Sequence, residues 1–383
     1  MQNNPHTTLI TATAPVSPDT HGGRTKCLQR LVRLDLPVPR TVGLSFEAVH
    51  NIARGDMPDM PLLLSPFEAG EMLCVRPSSE DPDWGGPSAI LNIGMNEARF
   101  DDFAKRLGKD VAASLYARFV HSYSIQVARL DPDVFDEIGA EGEASLSAAL
   151  RAYEEETDEP FPQDPEAQLA EVLRSMARAW DGTSARLLRQ AKGAPADAGL
   201  GLVVQSMALG FGKGECGSGV LQLIDRETGL EQLTGRYLSQ SQGRDALESG
   251  TKALFLERDA RGPSLEELAP EAFASLIEYA RLMRQKLREE MQVEFVIEDG
   301  RVHLLDGVRV SRTSRAAVRS AVRLAQDGII SQQEALMRVP PSALNELLHR
   351  QVDRSVASDV MGRGVAASPG AATGRIVFSA ADA

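Results

Sequence analysis

The spacing of apolar residues divides the first half of the chain into a short helix, a pair of strands and a long helical stretch. Apolar residues at helical spacing predict a helix over 25–34, and the prolines of Leu36-Pro37-Val38-Pro39 end it. Residues 72–94 follow the pattern of a strand, a polar loop and a second strand. From about 101 to 191 the pattern is helical. Its clearest segment, 166–190, places these apolar side chains on one face: Leu169, Val172, Leu173, Met176 and Trp180.

The second half of the chain begins near Leu200 with two apolar runs, LGLVVQSMAL and VLQLI, which predict buried strands on either side of a glycine-rich segment. A long amphipathic helix is predicted from 264 to 290. Asp299-Gly300 between VEFVIE and RVHLLD predicts a β-hairpin. Two further helices are expected near 314–327 and 331–350. The chain is therefore predicted to be α/β or α+β, with a helical insertion and a C-terminal helical extension.

The composition is typical of a globular protein, with 43% hydrophobic and 25% charged residues. Lys and Arg number 41 against 54 Asp and Glu, and the resulting net charge of −13 argues against nucleic acid as a partner. A phosphorylated small molecule remains compatible, because local arginines or backbone donors can outweigh the overall field. No apolar run approaches the roughly 20 residues of a membrane span, so no membrane partner is expected.

Cysteines and histidines are too dispersed to predict a metal site. The cysteines are Cys27, Cys74 and Cys216, and none of them is spaced for metal binding. His121 and His349 lie within helical patterns and are interpreted as packed or surface residues. The opening MQNNPHTTLITATAP has neither the basic nor the apolar region of a secretion signal. A cytoplasmic protein with a disordered segment over 1–20 is therefore expected.

The strongest chemical signal is the glycine-rich segment 210–219, GFGKGECGSG, which has five glycines in ten residues. Such a β-turn-β lid lets backbone N–H groups approach phosphate oxygens without hindrance from Cβ atoms. It is not a Walker loop, because it lacks the GK[ST] motif and a strand rather than a helix follows it. The alternative is a mobile glycine-rich hairpin that binds no ligand.

Three other places in the sequence suit phosphate or metal chemistry, and the first two have a structural alternative. Arg76 ends an apolar strand, where a guanidinium group can fork onto a phosphate or simply form a surface ion pair. Glu294 lies in the predicted hairpin. Its carboxylate suits a Mg²⁺ ion that bridges phosphates, and the alternative is a structural carboxylate paired with an arginine. Arg24 and Lys26 follow Gly22-Gly23 at a helix start, which is a possible anion site.

Taken in order, these segments resemble the N-terminal ATP-binding region of the pyruvate phosphate dikinase family, from about residue 21 onward. GGRTKCLQRLVRLDLPVPRTVGLS resembles the family's GGKGxNLxEM…GLPVPPGF, and CVRPSS…GGPSAILNIGMN resembles SVRSG…MPGMMDTVLNLGLN. FPQDPEAQLAEVLRSMARAW resembles FPQDPxEQLxxAIxAVFxSW, and MALGFGKGECGSGV resembles the glycine loop MVFGNxGxxSGTGV. Phosphoenolpyruvate synthase is a more distant relative.

The resemblance implies an ATP-grasp-type nucleotide-binding region in which two subdomains clamp ATP and Mg²⁺. It divides the chain into a disordered segment 1–20, an ATP-grasp N-terminal subdomain 21–100, a helical insertion 101–198, an ATP-grasp subdomain with the glycine-rich loop 199–310, a helical linker 311–360 and the start of a swivelling domain 361–383.

The resemblance also assigns site residues, although it identifies no catalytic residue. The residues expected to bind ATP are Arg24, Arg76, Gln205, Gly210, Gly212, Lys213, Gly214, Gly217 and Gly219, and those expected to bind Mg²⁺ are Glu294 and Asp306. Several positions depart from the family's charges. These are Arg24 for a lysine, Glu159 near a lysine, Ile224 for an arginine, Arg236 and Arg244 for acids, Gln292 for an aspartate, and Val308 for an arginine.

Three hypotheses follow from the resemblance. In the first, the chain is an ATP-binding phosphotransferase module, and a separate chain supplies the phosphohistidine and pyruvate domains, because no GGxTSHxA-like segment is present. In the second, the altered charges indicate a catalytically degenerate nucleotide sensor or scaffold. In the third, the chain is a fragment of a longer protein.

Overall fold

The computed structural model describes residues 6–81, 84–243 and 252–348, together with the single residues 362 and 374. The strands are β1 (Thr7–Leu9), β2 (Thr41–Leu44), β3 (Leu73–Ser79), β4 (Ile90–Ile93), β5 (Leu200–Ser206), β6 (Gly217–Ile224), β7 (Glu231–Ser239), β8 (Met291–Glu298) and β9 (Arg301–Arg309). The first helices are α1 (Pro18–Arg33), α2 (Phe46–Arg54), α3 (Met60–Leu64), α4 (Glu97–Leu107), α5 (Lys109–Gln126), α6 (Pro132–Ile138) and α7 (Gly142–Thr157). The remaining helices are α8 (Pro165–Asp181), α9 (Thr183–Ala191), α10 (Leu265–Leu268), α11 (Pro270–Leu287), α12 (Ser314–Gln326), α13 (Gln332–Met337) and α14 (Pro341–Leu348).

The strands form two antiparallel sheets. The first sheet has the order β1-β2-β5-β3-β4, and the second has the order β7-β6-β8-β9. Every pair of neighbouring strands in the two sheets is antiparallel. The fold is therefore α+β, which confirms one of the two predicted classes and excludes a parallel α/β sheet for the described strands.

Strand β5 lies in the middle of the first sheet, between β2 and β3, and all seven of its residues are buried. The glycine-rich segment after it leads to β6 in the second sheet. The predicted β-turn-β lid is therefore wrong, because the two flanking strands do not pair with each other. A local pattern of strand, glycines and strand is the same for a hairpin and for a crossover between sheets, so the sequence could not separate them.

Helix α1 packs against both sheets, through β3 and β5 on one side and β9 on the other. Its backbone is kinked at Gly22, where φ is +83°. The chain before it is ordered, since β1 pairs with β2 and both Ile10 and Val16 are buried. The expected disorder over 1–20 is therefore wrong for residues 6–20, because apolar side chains in this segment reach the core.

Three predicted helices are shorter than the sequence pattern indicates. Gly182 separates α8 from α9, Ala269 before Pro270 separates α10 from α11, and residues 338–340, which end in Pro340, separate α13 from α14. Proline and glycine interrupt the backbone hydrogen bonding while the apolar spacing continues across them. No helix in the described parts of the chain is long and apolar enough to cross a membrane.

The hydrophobic core has two large parts and a small one. The first is formed by the first sheet with helices such as α5 and α8, and it contains Tyr116, Phe119 and Trp180. The second is formed by the second sheet with α1 and α11, and it contains Leu28 and Phe295. A small third cluster lies in the C-terminal helices. Val203 of β5 also belongs to the second part, so apolar packing around α1 joins the two sheets, and polar contacts join them at the cleft described below.

Candidate functional site

A cleft of about 1340 Å³ lies between the two sheets and is bordered by the helical region. Four of the predicted site residues line it: Arg24, Arg76, Gln205 and Glu294. They come from α1, β3, β5 and β8, so the fold brings together positions that are far apart in the chain. Asp306 and the predicted glycine-loop residues are not among the residues that line the described cleft.

Arg76 crosses from the first sheet to the second. Its guanidinium group forms an ion pair with Glu294 and donates a hydrogen bond to the carbonyl oxygen of Leu305 at 2.7 Å. Leu305 is the extra residue of a β-bulge, since Glu294 pairs with Asp306 and Phe295 pairs with Leu304. Burial alone would lower the pKa of Arg76, but the carboxylates of Glu294 and Asp306 raise it above the ordinary arginine value. The guanidinium group is therefore firmly charged.

Arg24 forms the second bridge between the sheets. Its Nε donates to Asp306 Oδ2 at 2.6 Å, and another of its N–H groups donates to the carbonyl oxygen of Pro77. Asp306 is fully buried. Burial disfavours its ionised form, but the positive charges of Arg24 and Arg76 outweigh burial and hold the pKa of Asp306 below its usual range. The two arginines thus neutralise the two carboxylates that the sequence assigns to Mg²⁺.

These residues do not form a ready-made magnesium site. The described part of the chain contains no group of three or more His, Cys, Asp or Glu side chains that could hold a metal ion. Of the two predicted ligands, Glu294 lines the cleft and Asp306 does not, and each is already paired with an arginine. A cation at this place would have to displace an arginine from its carboxylate, so the metal assignment of Glu294 and Asp306 stays a prediction.

The predicted anion site at Gly22-Gly23 lies at the kink of α1 rather than at the start of this helix, and the protein itself largely occupies it. Ser78 Oγ accepts hydrogen bonds from the backbone N–H and the hydroxyl of Thr25, each at 3.0 Å. Lys26 points elsewhere, since its ammonium group donates to the carbonyl oxygen of Val16 at 2.9 Å. Of Arg24 and Lys26, Arg24 lines the cleft.

Two polar side chains on β5 line the cleft beside the arginines. Gln205 is buried and donates from Nε2 to Thr41 Oγ1 at 2.9 Å. Ser206 is 6% exposed, and its hydroxyl has no hydrogen-bond partner among the described residues. A buried hydroxyl without a partner is costly unless something else binds it, so Ser206 indicates a place for a polar ligand or water.

Close packing explains four of the five glycines of 210–219. A Cβ atom at Gly210 would lie 2.1 Å from the carbonyl oxygen of Ser241, and one at Gly217 would lie 2.2 Å from that of Leu238. Gly219 is similarly close to Phe295. Gly212 faces the Asp299 carboxylate, whereas Gly214 is the loop glycine with open space around it. Phosphate binding by this loop therefore stays a prediction.

The same loop is held against the end of β7. Glu215 accepts hydrogen bonds from the hydroxyl groups of Tyr237 at 2.8 Å and Ser239 at 2.5 Å. The backbone N–H of Gln240 donates to the carbonyl oxygen of Cys216 at 2.7 Å. Lys213 is exposed near the tip of the loop. The loop thus packs beside the cleft wall, and its predicted ligand-binding residues do not face the cavity.

The positions that depart from the family's charges lie mostly outside the cleft. Arg236 is exposed on β7, Glu159 is exposed after α7, and Ile224 is buried in β6. Gln292 accepts a hydrogen bond from Gln222 at 2.6 Å within the second sheet. Two residues from the sequence predictions, Arg244 and His349, lie outside the described residues.

Residues of the cleft that the sequence did not indicate come mainly from β4, the helical region and the end of β7. Asn92 and Gln242 are both buried there and form a reciprocal pair of hydrogen bonds. His121 also lines the cleft and contacts Asp136 at 3.0 Å, although its sequence context indicated only packing or exposure. In the sequence, Asn92 stands out only as an amide side chain within the apolar run AILNIG.

Sequence comparison finds relatives that match most of this chain. It is 33% identical over 340 residues to pyruvate, phosphate dikinase of Rhizobium meliloti (strain 1021), covering 82% of this chain and 37% of that protein. It is 30% identical over 360 residues to pyruvate, phosphate dikinase of Clostridium symbiosum, and this match covers 88% of this chain and 39% of that protein. Pyruvate, phosphate dikinase 2 of Oryza sativa subsp. japonica is 27% identical over 401 residues, covering 95% and 44%.

No protein-family profile matches the chain. The matches nevertheless agree with the motif resemblance, because several curated relatives share one name and each match extends over most of the described fold. The chain spans about two fifths of the length of these relatives, 37–44%. Over most of its length, the chain is therefore related in sequence to a part of the pyruvate, phosphate dikinases.

Proposed function

We propose that the cleft between the two sheets binds ATP and that the chain is the nucleotide-binding part of an ATP-grasp-type phosphotransferase. The observation that carries this proposal is the convergence of Arg24, Arg76 and Glu294 on one cleft. Arg76 and its partner Glu294 are 218 residues apart in the chain. The cavity is also large enough for a nucleotide, since small-molecule sites are typically about 300–1,000 Å³.

The chemistry of the cleft suits a polyanionic ligand. A triphosphate requires positive groups close to its oxygens, and guanidinium groups bind phosphate through paired N–H donors. Arg24 and Arg76 supply such groups, and Ser206, which also lines the cleft, has a buried hydroxyl without a hydrogen-bond partner among the described residues. Mg²⁺, when bound with the nucleotide, would neutralise phosphate charge, and Glu294 is the predicted metal ligand that faces the cleft.

A second candidate function is a nucleotide sensor without phosphoryl transfer. It is favoured by the two ion pairs, because Arg24 and Arg76 are already neutralised by Asp306 and Glu294. In the phosphotransferase proposal, the phosphoryl acceptor is a histidine on a separate phosphohistidine domain. ATP-dependent labelling of such a domain by this chain supports the transferase, and saturable ATP binding without labelling supports the sensor.

Titration calorimetry with Mg·ATP tests the proposed site directly. The wild-type chain is expected to bind, and Arg76→Lys is expected to raise Kd by about tenfold because an ammonium group cannot reproduce the paired contacts of arginine. Arg40→Lys is the matched control, since Arg40 is exposed and donates to the carbonyl oxygen of Pro66 away from the cleft. The proposal fails if the wild type gives no binding heat at millimolar nucleotide, or if both variants bind like the wild type.

A further inference from the structure

Two buried side-chain amides connect the two sheets at a second place, apart from the arginine pairs. Asn92 Nδ2 donates to Gln242 Oε1 at 3.0 Å, and Gln242 Nε2 donates to Asn92 Oδ1 at 3.0 Å. Asn92 Nδ2 also donates to the carbonyl oxygen of Leu115 in α5 at 3.1 Å. Asn92 belongs to β4 of the first sheet, and Gln242 follows β7 of the second sheet. One amide pair therefore joins both sheets and the helical region.

The backbone at Asn92 adopts a conformation that costs free energy. Its φ is +60°, in the left-handed region, although it lies within a strand. The register between β3 and β4 shifts here, because Leu73 pairs with Ile93 while Val75 pairs with Ile90. Non-glycine residues persist in this region only when surrounding contacts hold them there. The shift turns Asn92 toward α5 and Gln242, where its amide hydrogen-bonds are made.

The segment that carries Gln242 is fixed to the second sheet. Ser241 Oγ accepts from the backbone N–H of Ser218 at 3.1 Å and donates to the carbonyl oxygen of Leu238 at 2.6 Å. Both Ser241 and Gln242 are buried. The position of the Gln242 amide is therefore set by β6 and β7. The hydrogen bonds between Gln242 and Asn92 in turn fix the position of these two strands relative to β4.

We propose that Asn92 and Gln242 are positioning residues for the nucleotide cleft, an inference that rests on the proposed function. Both line the cleft together with Arg76 and Glu294. Asn92 directs both N–H groups and its oxygen to protein atoms, so it acts by holding the walls of the cleft at a fixed separation. The amide pair and the Arg76–Glu294 pair thereby hold the same cleft from two neighbouring strands, β4 and β3.

The test is Gln242→Glu, with Gln222→Glu as the matched control. Gln222 is also a buried amide that donates to another amide, Gln292, but neither of these residues lines the cleft. At alkaline pH the new carboxylate at 242 can still accept from Asn92 Nδ2 but cannot donate to Asn92 Oδ1, so the reciprocal pair loses one of its two hydrogen bonds. Calorimetry on the folded proteins should show Kd for Mg·ATP raised about tenfold in Gln242→Glu and changed less than about twofold in Gln222→Glu.

Acidification provides a rescue that a general loss of stability would not produce. A protonated carboxyl group at 242 carries an O–H that can donate to Asn92 Oδ1 again. The ratio of the variant's Kd to the wild-type Kd should therefore fall toward one as the pH is lowered. Should Gln242→Glu fail to fold, Gln242→Met, which removes both hydrogen bonds without adding charge, is expected to show the same rise in Kd without the pH-dependent rescue.

Hydrogen exchange separates this inference from the proposed function. Loss of the pair should increase amide exchange in α5 around Leu115 and in residues 238–242, and Gln222→Glu should leave these segments unchanged. If the wild type binds no ATP, the proposed function fails, and the inference fails with it as a statement about nucleotide binding. If the wild type binds and Gln242→Glu is less stable but binds with the wild-type Kd, the pair is only structural and the inference is overturned.

Discussion

Asp306 is a fully buried carboxylate that stays ionised because guanidinium groups lie beside it. Burial opposes its charge, and Arg24 and Arg76 more than compensate, so its pKa in the folded chain is lower than in the unfolded chain. Such a group contributes stability at pH values above its unfolded pKa, and this contribution is lost as the pH falls through its folded pKa. The sign follows from the direction of the shift alone.

Asp306→Asn is therefore expected to destabilise the chain most at neutral pH. Removing one partner of a buried ion pair leaves the other unpaired, and a loss of about 3 kcal/mol in the free energy of unfolding is expected. Urea unfolding measured between about pH 7 and about pH 3 should show the wild-type advantage shrinking at the acidic end. The wild type has to be compared with the variant at each pH, because burial raises the pKa of Glu290 and Glu298. These two groups make the folded chain more stable as the pH falls, which is opposite to the effect of Asp306.

Asp102→Asn serves as the control for this experiment. Asp102 is exposed and contacts Lys105 one helical turn away at 3.5 Å, an arrangement that contributes little. The free energy of unfolding of the Asp102→Asn variant should stay within about 0.5 kcal/mol of the wild-type value across the same pH range. A difference between wild type and Asp306→Asn that does not change with pH would contradict an ionised Asp306 held by the two arginines.

At the residue scale, the sequence indicated the chemistry of the cleft but not its pairing. Arg76 and Glu294 each stood out from a local strand pattern, and both line the cleft. Their ion pair spans 218 residues of chain, so no local pattern could reveal it. Asn92 and Gln242 were missed for the same reason, because an amide in an apolar strand gives no sign of its partner.

At the scale of elements, the glycine-rich segment 210–219 is a packed crossover between the sheets. Gly217 lies against the backbone of β7, whereas Gly214 sits in open space with φ of +80°. Gly217 is thus required because the backbone of β7 lies too close for a Cβ atom, and Gly214 because its backbone adopts a left-handed conformation. Alanine substitution separates these two requirements.

Gly217→Ala is expected to lower the free energy of unfolding by more than about 2 kcal/mol, because the added Cβ would overlap backbone atoms that cannot move independently. Gly214→Ala should cost about 1 kcal/mol, the usual cost of a left-handed alanine. Gly262→Ala is the control, since its Cβ would have its nearest neighbour at an ordinary 3.4 Å. Equal losses for Gly217→Ala and Gly214→Ala in urea unfolding would contradict the packing explanation.

Most elements were predictable, whereas their boundaries and partners were less so. The strands of 72–94 and the hairpin around Asp299-Gly300 are confirmed, because apolar spacing and turn residues determine them locally. The predicted helices over 166–190 and 331–350 are each divided, since glycine or proline ends the backbone hydrogen bonding within a continuous apolar pattern. The placement of β5 in the first sheet depended on long-range pairing and was not predictable.

At the scale of the whole molecule, two antiparallel sheets are joined by the packing of α1 and by polar contacts around a large cleft. The contacts are the Arg24–Asp306 and Arg76–Glu294 ion pairs and the Asn92–Gln242 amide pair. This arrangement gives the cleft a fixed shape and charge, which is the basis for proposing that a nucleotide binds there.

Photolabelling with 8-azido-ATP, followed by mass spectrometry of the labelled peptides, locates the nucleotide on the chain. If ATP binds between the two sheets, we expect labelling that unlabelled ATP suppresses, confined to peptides that line the cleft, such as those containing 86–92, 118–122 or 238–243. Labelling that ATP does not suppress, or labelling confined to the C-terminal helices of 314–348, would contradict a nucleotide site between the two sheets.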